Sequence, residues 1–482
     1  MTSFPEPMTP FEAPMRVEAD IAGLEVIQGA VPEHLDGTYY RVVCDRAWPS
    51  YVPGDLFFNE DGMAMSFRFS GGRVDFRSRY IRTPRFEAER AASRSLFGAY
   101  RNPYTDDPSV VGINRTVANT NVFYHGGKLY ACKEDSPPLL LDPVSLDTLG
   151  EYDFEGALTS KTSTAHPKTD PLTGEMVFFG FEAKGEVTPD IAYYEADPDG
   201  KIIHETWFRA PYTSMVHDFC VTQNFVIFPI VPLRADDEWL RRGESHYKWD
   251  PDEDVYLGVL PRKGTGDQIR WFRGPNRFAS HILGASDDGR RIHIETPVGK
   301  DNFFPFFPWI DHTPYDPVGA RAYLSRWSID MGAPGESFTE HRLIDAAGEF
   351  PRMDDRHETL PHTWGVMALN HVPGREQVPG SGFRWITGVD LTGRRGPQIW
   401  YAGDDCSVGE PVFVPGADDA PEGHGYVLVV VGRHQEMRSD LVILDAQHVD
   451  GPPVATVAIP MRIRRGLHGN WVSGTELRSR TA

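Results

Sequence analysis

The chain holds only four cysteines in 482 residues. Cys44, Cys132, Cys220 and Cys406 lie far apart and form no CxxC pair, which excludes a disulfide framework and a zinc knuckle. Reduced thiols in a cytoplasm are their simplest setting. Long apolar runs are also missing. YVLVVV at 426–431 is strand-length, far short of a bilayer span, so no membrane insertion is expected. The opening MTSFPEPMTPFEAP has neither the basic nor the apolar stretch of a signal peptide. Positive charge is scarce: 48 Lys and Arg face 69 Asp and Glu, a net charge of −21. Such a surface repels phosphate backbones and anionic lipid, so nucleic acid is not an expected partner.

Turn formers are abundant. With 46 Gly and 40 Pro, breakers recur along the whole length and favour many short strands over long helices. MSFRFSGGRVDFRSRYI reads as a hairpin turning at Gly71-Gly72, and VFYHGGKLYACKE as another at Gly126-Gly127. MVFFGFEAKG, FVIFPIVPL, RIHIETPVG, YVLVVVGRH and DLVILDAQH read as further strands. RFEAERAASRSLFGAYR, near 85–101, is the expected helix, stopped by Pro103. Residues 1–20 read as an extended segment running over the surface. No low-complexity linker divides the rest, so 1–482 is read as one domain. Many antiparallel strands without a break point to an all-β fold that closes on itself. A β-propeller does this without long exposed edges. Seven blades would take about 69 residues each, leaving long loops to gather as a lid on one face. Two stacked β-sandwiches, or a shorter propeller with insertions, remain open, because periodicity does not count blades.

Four histidines sit in short segments flanked by apolar or small residues: His166 in TAHPK, His217 in SMVHDF, His281 in FASHIL and His468 in GLHGNW. They are too far apart for a local metal motif. A repeating architecture can bring them together if each repeat sends one residue to a shared axis. Neutral imidazoles suit iron, copper, zinc or nickel. Spacing alone leaves four unrelated structural histidines as the other reading.

These histidine segments resemble those of the carotenoid cleavage oxygenase family, most nearly its bacterial lignostilbene dioxygenase branch. FFNEDGMAMSFRF resembles the family's early FxGDGM segment, with Glu60 in place of the usual glycine. ERAASRSLFGAYRNPYTDDPSV, ANTNVFYHGGKLYACKEDSPPLLLDP and DNFFPFFP resemble the branch in particular, and EPVFVPG before GHGYVLVVV resembles the late EPxFVP block. The resemblance spans nearly the whole chain. It implies a seven-bladed propeller with one iron(II) per chain on its axis, held by His166, His217, His281 and His468. It implies three glutamates that orient the histidines: Glu134, Glu349 and Glu410. It implies that Tyr100 and Lys133 bind the phenol of a 4-hydroxystilbene, lignostilbene-like or resveratrol-like. Dioxygen as co-substrate then splits the central alkene into two aromatic aldehydes such as vanillin.

The residues themselves add two expectations and one conflict. Phe58 and Phe304 are candidates for walls that sandwich a planar aromatic substrate, and Thr120 in ANTN for a place near the open metal position. Lys133 and Glu134 are adjacent, so a regular strand would send them to opposite faces. Two other functions stay open. A carotenoid or apocarotenoid cleaver would need a long apolar tunnel and gives Lys133 and Tyr100 no purpose. A non-catalytic propeller scaffold would need no metal. Assembly is open, a homodimer among the options.

Overall fold

Both glycine hairpins form. Gly62–Ser70 pairs with Arg73–Tyr80, and Asn121–His125 with Lys128–Cys132. Gly71, Gly72, Gly126 and Gly127 all take positive φ, the conformation that a two-residue hairpin turn demands. The computed structural model describes residues 10–375, 382–464 and 466–479.

Hairpins are added one after another into antiparallel sheets. Three are four-stranded, running 121–151, 168–209 and 220–274. A seven-stranded sheet runs from Gly284–Asp287 to Gln398–Tyr401. It divides at its long strand Thr339–Arg352. The first part of that strand pairs with Tyr323–Asp330, and the last part, after register shifts, with Trp364–His371. One strand thus belongs to two blades. Of the remaining three sheets, one is a two-stranded ribbon, Leu233–Ala235 with Tyr247–Trp249, and two close the ring. Gly466–Ser473, near the C-terminus, pairs with Gly37–Cys44, while Glu25–Gly29 pairs with Ala455–Ile459. Chain ends sewn into each other's sheets leave no open seam. Seven blades result, and the propeller is the fold.

Burial follows position within a blade. Met176–Phe181 and Asp190–Ala196 are buried on both faces, because neighbouring blades cover both sides of each sheet. The outer strand Ile202–Arg209 alternates toward solvent. Each fully buried Val, Leu, Ile or Phe contributes about 1.5–3 kcal/mol, so apolar strands hold the blades together.

Two expectations change. The helix over 85–101 is shorter and runs Pro84–Ala92. Thr83 caps its start, and Ser93 ends it in the left-handed conformation. Beyond it, side chains outcompete helical hydrogen bonding. Glu89 accepts the Leu96 and Phe97 N–H groups at 2.8 and 3.1 Å, and Asp55 accepts the Tyr100 N–H at 3.0 Å. The helix therefore ends well before Pro103, and Tyr100 lies on a pinned loop. In the opening segment, residues 1–9 lie outside the described residues. Pro10–Glu12 forms a helical turn with Phe11 buried, and Ala19–Ile21 a short edge strand.

Candidate metal centre and substrate pocket

Each blade sends one residue toward the centre. His166 and His217 lie two and three residues before Lys168–Thr169 and Cys220–Val221, the inner edge strands of their sheets. His281 precedes Gly284–Asp287, and His468 lies in Gly466–Ser473. The four Nε2 atoms converge: His166 to His217 is 3.1 Å, His217 to His281 2.9 Å, and His281 to His468 3.1 Å. The ligand atoms all lie within 4.8 Å of one another. The other three blades supply glutamates. Glu134 follows Lys128–Cys132, Glu349 lies in Thr339–Arg352, and Glu410 precedes Val412–Pro415. His217 Nδ1 donates to Glu134, His281 Nδ1 to Glu349 at 2.5 Å, and His468 Nδ1 to Glu410 at 2.8 Å. Gly469 N–H also donates to Glu410 at 2.9 Å, and the Arg352 guanidinium stands 3.3 Å from it.

This donor set fits a first-row metal ion. Nitrogens about 2.1 Å from one metal and at right angles stand about 3 Å apart, which is the observed spacing. Carboxylates on Nδ1 fix each tautomer so that Nε2 presents its lone pair inward. Burial would raise the Glu134 carboxyl, but His217 and Lys133 outweigh it and hold it at about 2. Glu410 is likewise held at about 2, where His468 and Arg352 outweigh burial. Both stay anionic. Burial and the neighbouring imidazoles push His166 well below its ordinary value, and burial lowers His468 despite Glu410. His281 goes the other way, because Glu349 outweighs burial.

A second group of residues meets beside the metal shell. Lys133 is buried, with its Nζ 5.1 Å from the centre of the Tyr100 ring. It donates to the Phe58 carbonyl at 3.1 Å and to Asn119 Oδ1 at 3.2 Å. The Phe58 ring lies 6.2 Å from Tyr100 and 5.8 Å from Phe304. Burial keeps the Tyr100 phenol protonated, with its pKa pushed well up. The Lys133–Glu134 conflict dissolves because the strand ends at Cys132. The two side chains leave from irregular backbone, one toward Tyr100 and the other toward His217. Thr120 sits against the metal shell through its backbone, its carbonyl accepting the His468 N–H at 3.1 Å.

The sequence reading missed several residues. Phe350 stacks on His281 at 5.3 Å and approaches His468 at 5.6 Å. Phe306 and Phe307 join Phe58, Tyr100 and Phe304 in the aromatic cluster. Asn302 ties that turn by donating to the Phe304 and Phe307 carbonyls, both at 3.0 Å. Buried Arg101, next to Tyr100, pairs with Glu182, which also accepts from His246 at 2.9 Å and Tyr247 at 3.1 Å. Nothing local marks these residues. The doublets in DNFFPFFP were the one available signal. Glu60, the departure from the early motif, is buried between Arg464 at 2.5 Å and Arg46 at 3.3 Å.

Comparison with known proteins agrees with this geometry. The model of the retinal pigment epithelial membrane protein family, the carotenoid cleavage oxygenases, matches residues 12–473. The chain belongs to this family. It is 44% identical to lignostilbene-alpha,beta-dioxygenase isozyme III of Sphingomonas paucimobilis, covering 99% of each chain. It is 46% identical to isoeugenol monooxygenase of Pseudomonas putida, over 95% of this chain and 96% of that one. The crystal structure of Pseudomonas brassicacearum lignostilbene dioxygenase superposes with a TM-score of 0.94 at 40% identity, covering 98% of this chain and all of that one. Like these family members, the protein is an alkene-cleaving oxygenase.

Proposed function

We propose that the protein is an iron(II) dioxygenase that cleaves the alkene of 4-hydroxystilbenes into two aromatic aldehydes. The observation that carries this reading is the meeting of Lys133 and Tyr100 one residue from the metal shell. A buried ammonium and a protonated phenol form a reader for a substrate phenol oxygen. Glu134, the next residue, belongs to His217.

Each residue then has a task. His166, His217, His281 and His468 hold one iron, which binds and activates dioxygen. Glu134, Glu349 and Glu410 fix the imidazoles and offset the ion's charge. Lys133 favours the anionic form of the substrate phenol, and Tyr100 donates a hydrogen bond to the same oxygen. The phenolate pushes electron density through the ring into the conjugated alkene, which otherwise reacts poorly with oxygen. Phe58 and Phe304 would clamp the ring plane, and Thr120, whose carbonyl accepts the His468 N–H, would border the metal site. Both oxygen atoms enter the products, one in each carbonyl. The loops carrying Phe58, Tyr100 and Phe304 form the lid, and the whole chain works as one unit. Four free cysteines suit a reducing cytoplasm. Among the described residues, no helix is long and apolar enough to cross a membrane.

A second reading is favoured by the isoeugenol monooxygenase relative. A phenylpropene with a free 4-hydroxyl has the same conjugated donor and asks the same of Lys133 and Tyr100. Oxygen uptake and product analysis with a hydroxystilbene, isoeugenol and an apocarotenoid test both. Cleavage of hydroxylated aromatics alone is expected. Turnover of the apocarotenoid alone would overturn the proposal.

A further inference from the structure

Asn119 is fully buried, and both atoms of its amide are committed. Nδ2 donates to the Phe58 carbonyl at 2.9 Å and to the Glu60 carbonyl at 2.8 Å. Oδ1 accepts from Lys133 Nζ at 3.2 Å and from Thr120 Oγ1 at 3.4 Å. Two carbonyls can only face an NH₂ group and an ammonium can only face an oxygen, so one amide orientation satisfies the network. The Phe58 carbonyl is shared, since Lys133 also donates to it. One side chain therefore ties down the backbone of an aromatic wall and the cation beside it.

The chemistry of these partners matters as much as their positions. Both oxygens that hold Lys133 are neutral, and an ammonium has three N–H groups. Among the described residues its third meets no oxygen or nitrogen acceptor, and the Tyr100 ring lies 5.1 Å away. Glu134 feels the Lys133 charge through space, but among the described residues no carboxylate pairs with the ammonium directly. The Tyr100 phenol stays protonated, and burial raises the nearby Cys44 thiol to about 12. Glu134, the neighbouring carboxylate, is engaged by His217. A buried cation held this way has direction but no bound anion.

We infer that Asn119 is a positioning residue for substrate ionisation, holding Lys133 by a neutral oxygen so that the ammonium gains a directly bonded anion only when a phenolate oxygen arrives. The inference rests on Lys133 meeting the substrate phenol. An aspartate would occupy the same space, but its carboxylate would pair with Lys133 and remove the demand for a second anion.

The test is an anaerobic spectroscopic titration of 4-hydroxy-4′-nitrostilbene bound to the iron-loaded protein. Its phenolate absorbs at longer wavelength than its phenol, so ionisation is read without turnover. The native protein is expected to bind the anion at a pH where the free dye is neutral. Asn119→Asp should raise the bound phenol's apparent pKa by about one unit or more, given the usual effect of an adjacent opposite charge, with iron content unchanged. A native ionisation curve in a folded Asn119→Asp protein overturns the inference. If Lys133→Met also leaves the curve native, the reading of Lys133 itself fails, a separate result. Should Asn119→Asp not fold, Asn119→Ser serves. It keeps a neutral oxygen too short to span Phe58 and Lys133. It should weaken binding of the hydroxystilbene more than that of its methyl ether, and equal losses overturn the proposal.

Discussion

Lys133 and Glu134 are neighbours in the chain and serve different chemistry. Lys133 Nζ stands 5.1 Å from the Tyr100 ring centre, while Glu134 accepts from His217 Nδ1. A single peptide bond thus joins the Tyr100 cluster to the four-histidine cluster.

Replacing any one of His166, His217, His281 or His468 with alanine should abolish stoichiometric iron binding. Three imidazoles remain, but the fourth site becomes a buried hole. Metal analysis of protein purified with ferrous iron checks this. A variant that keeps one iron per chain and native turnover removes that histidine from the site.

Glutamine at Glu134, Glu349 or Glu410 should weaken iron affinity by about 10–100-fold without abolishing it, the usual cost of losing an outer partner of a metal-bound histidine. Glu410→Gln should also lower thermal stability, because Arg352, 3.3 Å away, loses the buried one of its two carboxylate partners and keeps only Asp355. Competitive chelator titration separates the two effects. Native affinity in all three variants would mean that the carboxylates are dispensable.

Acid stability should carry the mark of Glu182. Burial would raise this carboxyl, but Arg101 and His246 outweigh it and hold it at about 2, against an ordinary 4.5. A depressed folded value stabilises the protein fully above the ordinary value, and that contribution is lost as pH falls toward about 2. Unfolding free energy of the native protein should therefore fall with about one extra proton taken up between those limits. Glu182→Gln should cost about 3 kcal/mol at neutral pH by leaving buried Arg101 only Glu186, 3.3 Å away, and should flatten the acid slope. Denaturant titrations at a series of pH values measure both, and an unchanged slope would count against Glu182.

Strands and turns were legible because glycine pairs and alternating apolar runs act locally. The histidines were legible because their segments carry family motifs. The helix boundary was not, since Glu89 and Asp55 reach across the loop to take the N–H groups that a helix would use. The blade count was hidden too, because Thr339–Arg352 serves two blades with no break in its sequence. Asn119 lies in the ANTN segment, but its role, like that of Phe350, comes only from what tertiary structure packs against it.

Substrate choice should turn on one oxygen. An alkene conjugated to a phenolate is far more electron-rich than one conjugated to a methyl ether. In the proposed role Lys133 would make a charge-assisted hydrogen bond to that oxygen, about twice as strong as a neutral one. Facing a methyl ether, the same ammonium stays desolvated with a poor acceptor. Sites built to bond a hydroxyl reject analogues lacking it by about 10⁴-fold in favourable cases. A 4-O-methylated stilbene should therefore turn over at least about 100-fold more slowly than its hydroxylated parent, in kcat/KM. Lys133→Met should lose most of that discrimination by slowing the hydroxylated substrate, with iron content intact. Tyr100→Phe should do the same more weakly, since it removes a neutral donor rather than a charge. Equal turnover of the two stilbenes, or an unimpaired Lys133→Met, would rule out phenolate activation and leave the four-histidine site standing, because Lys133 makes no hydrogen bond to any of the four histidines.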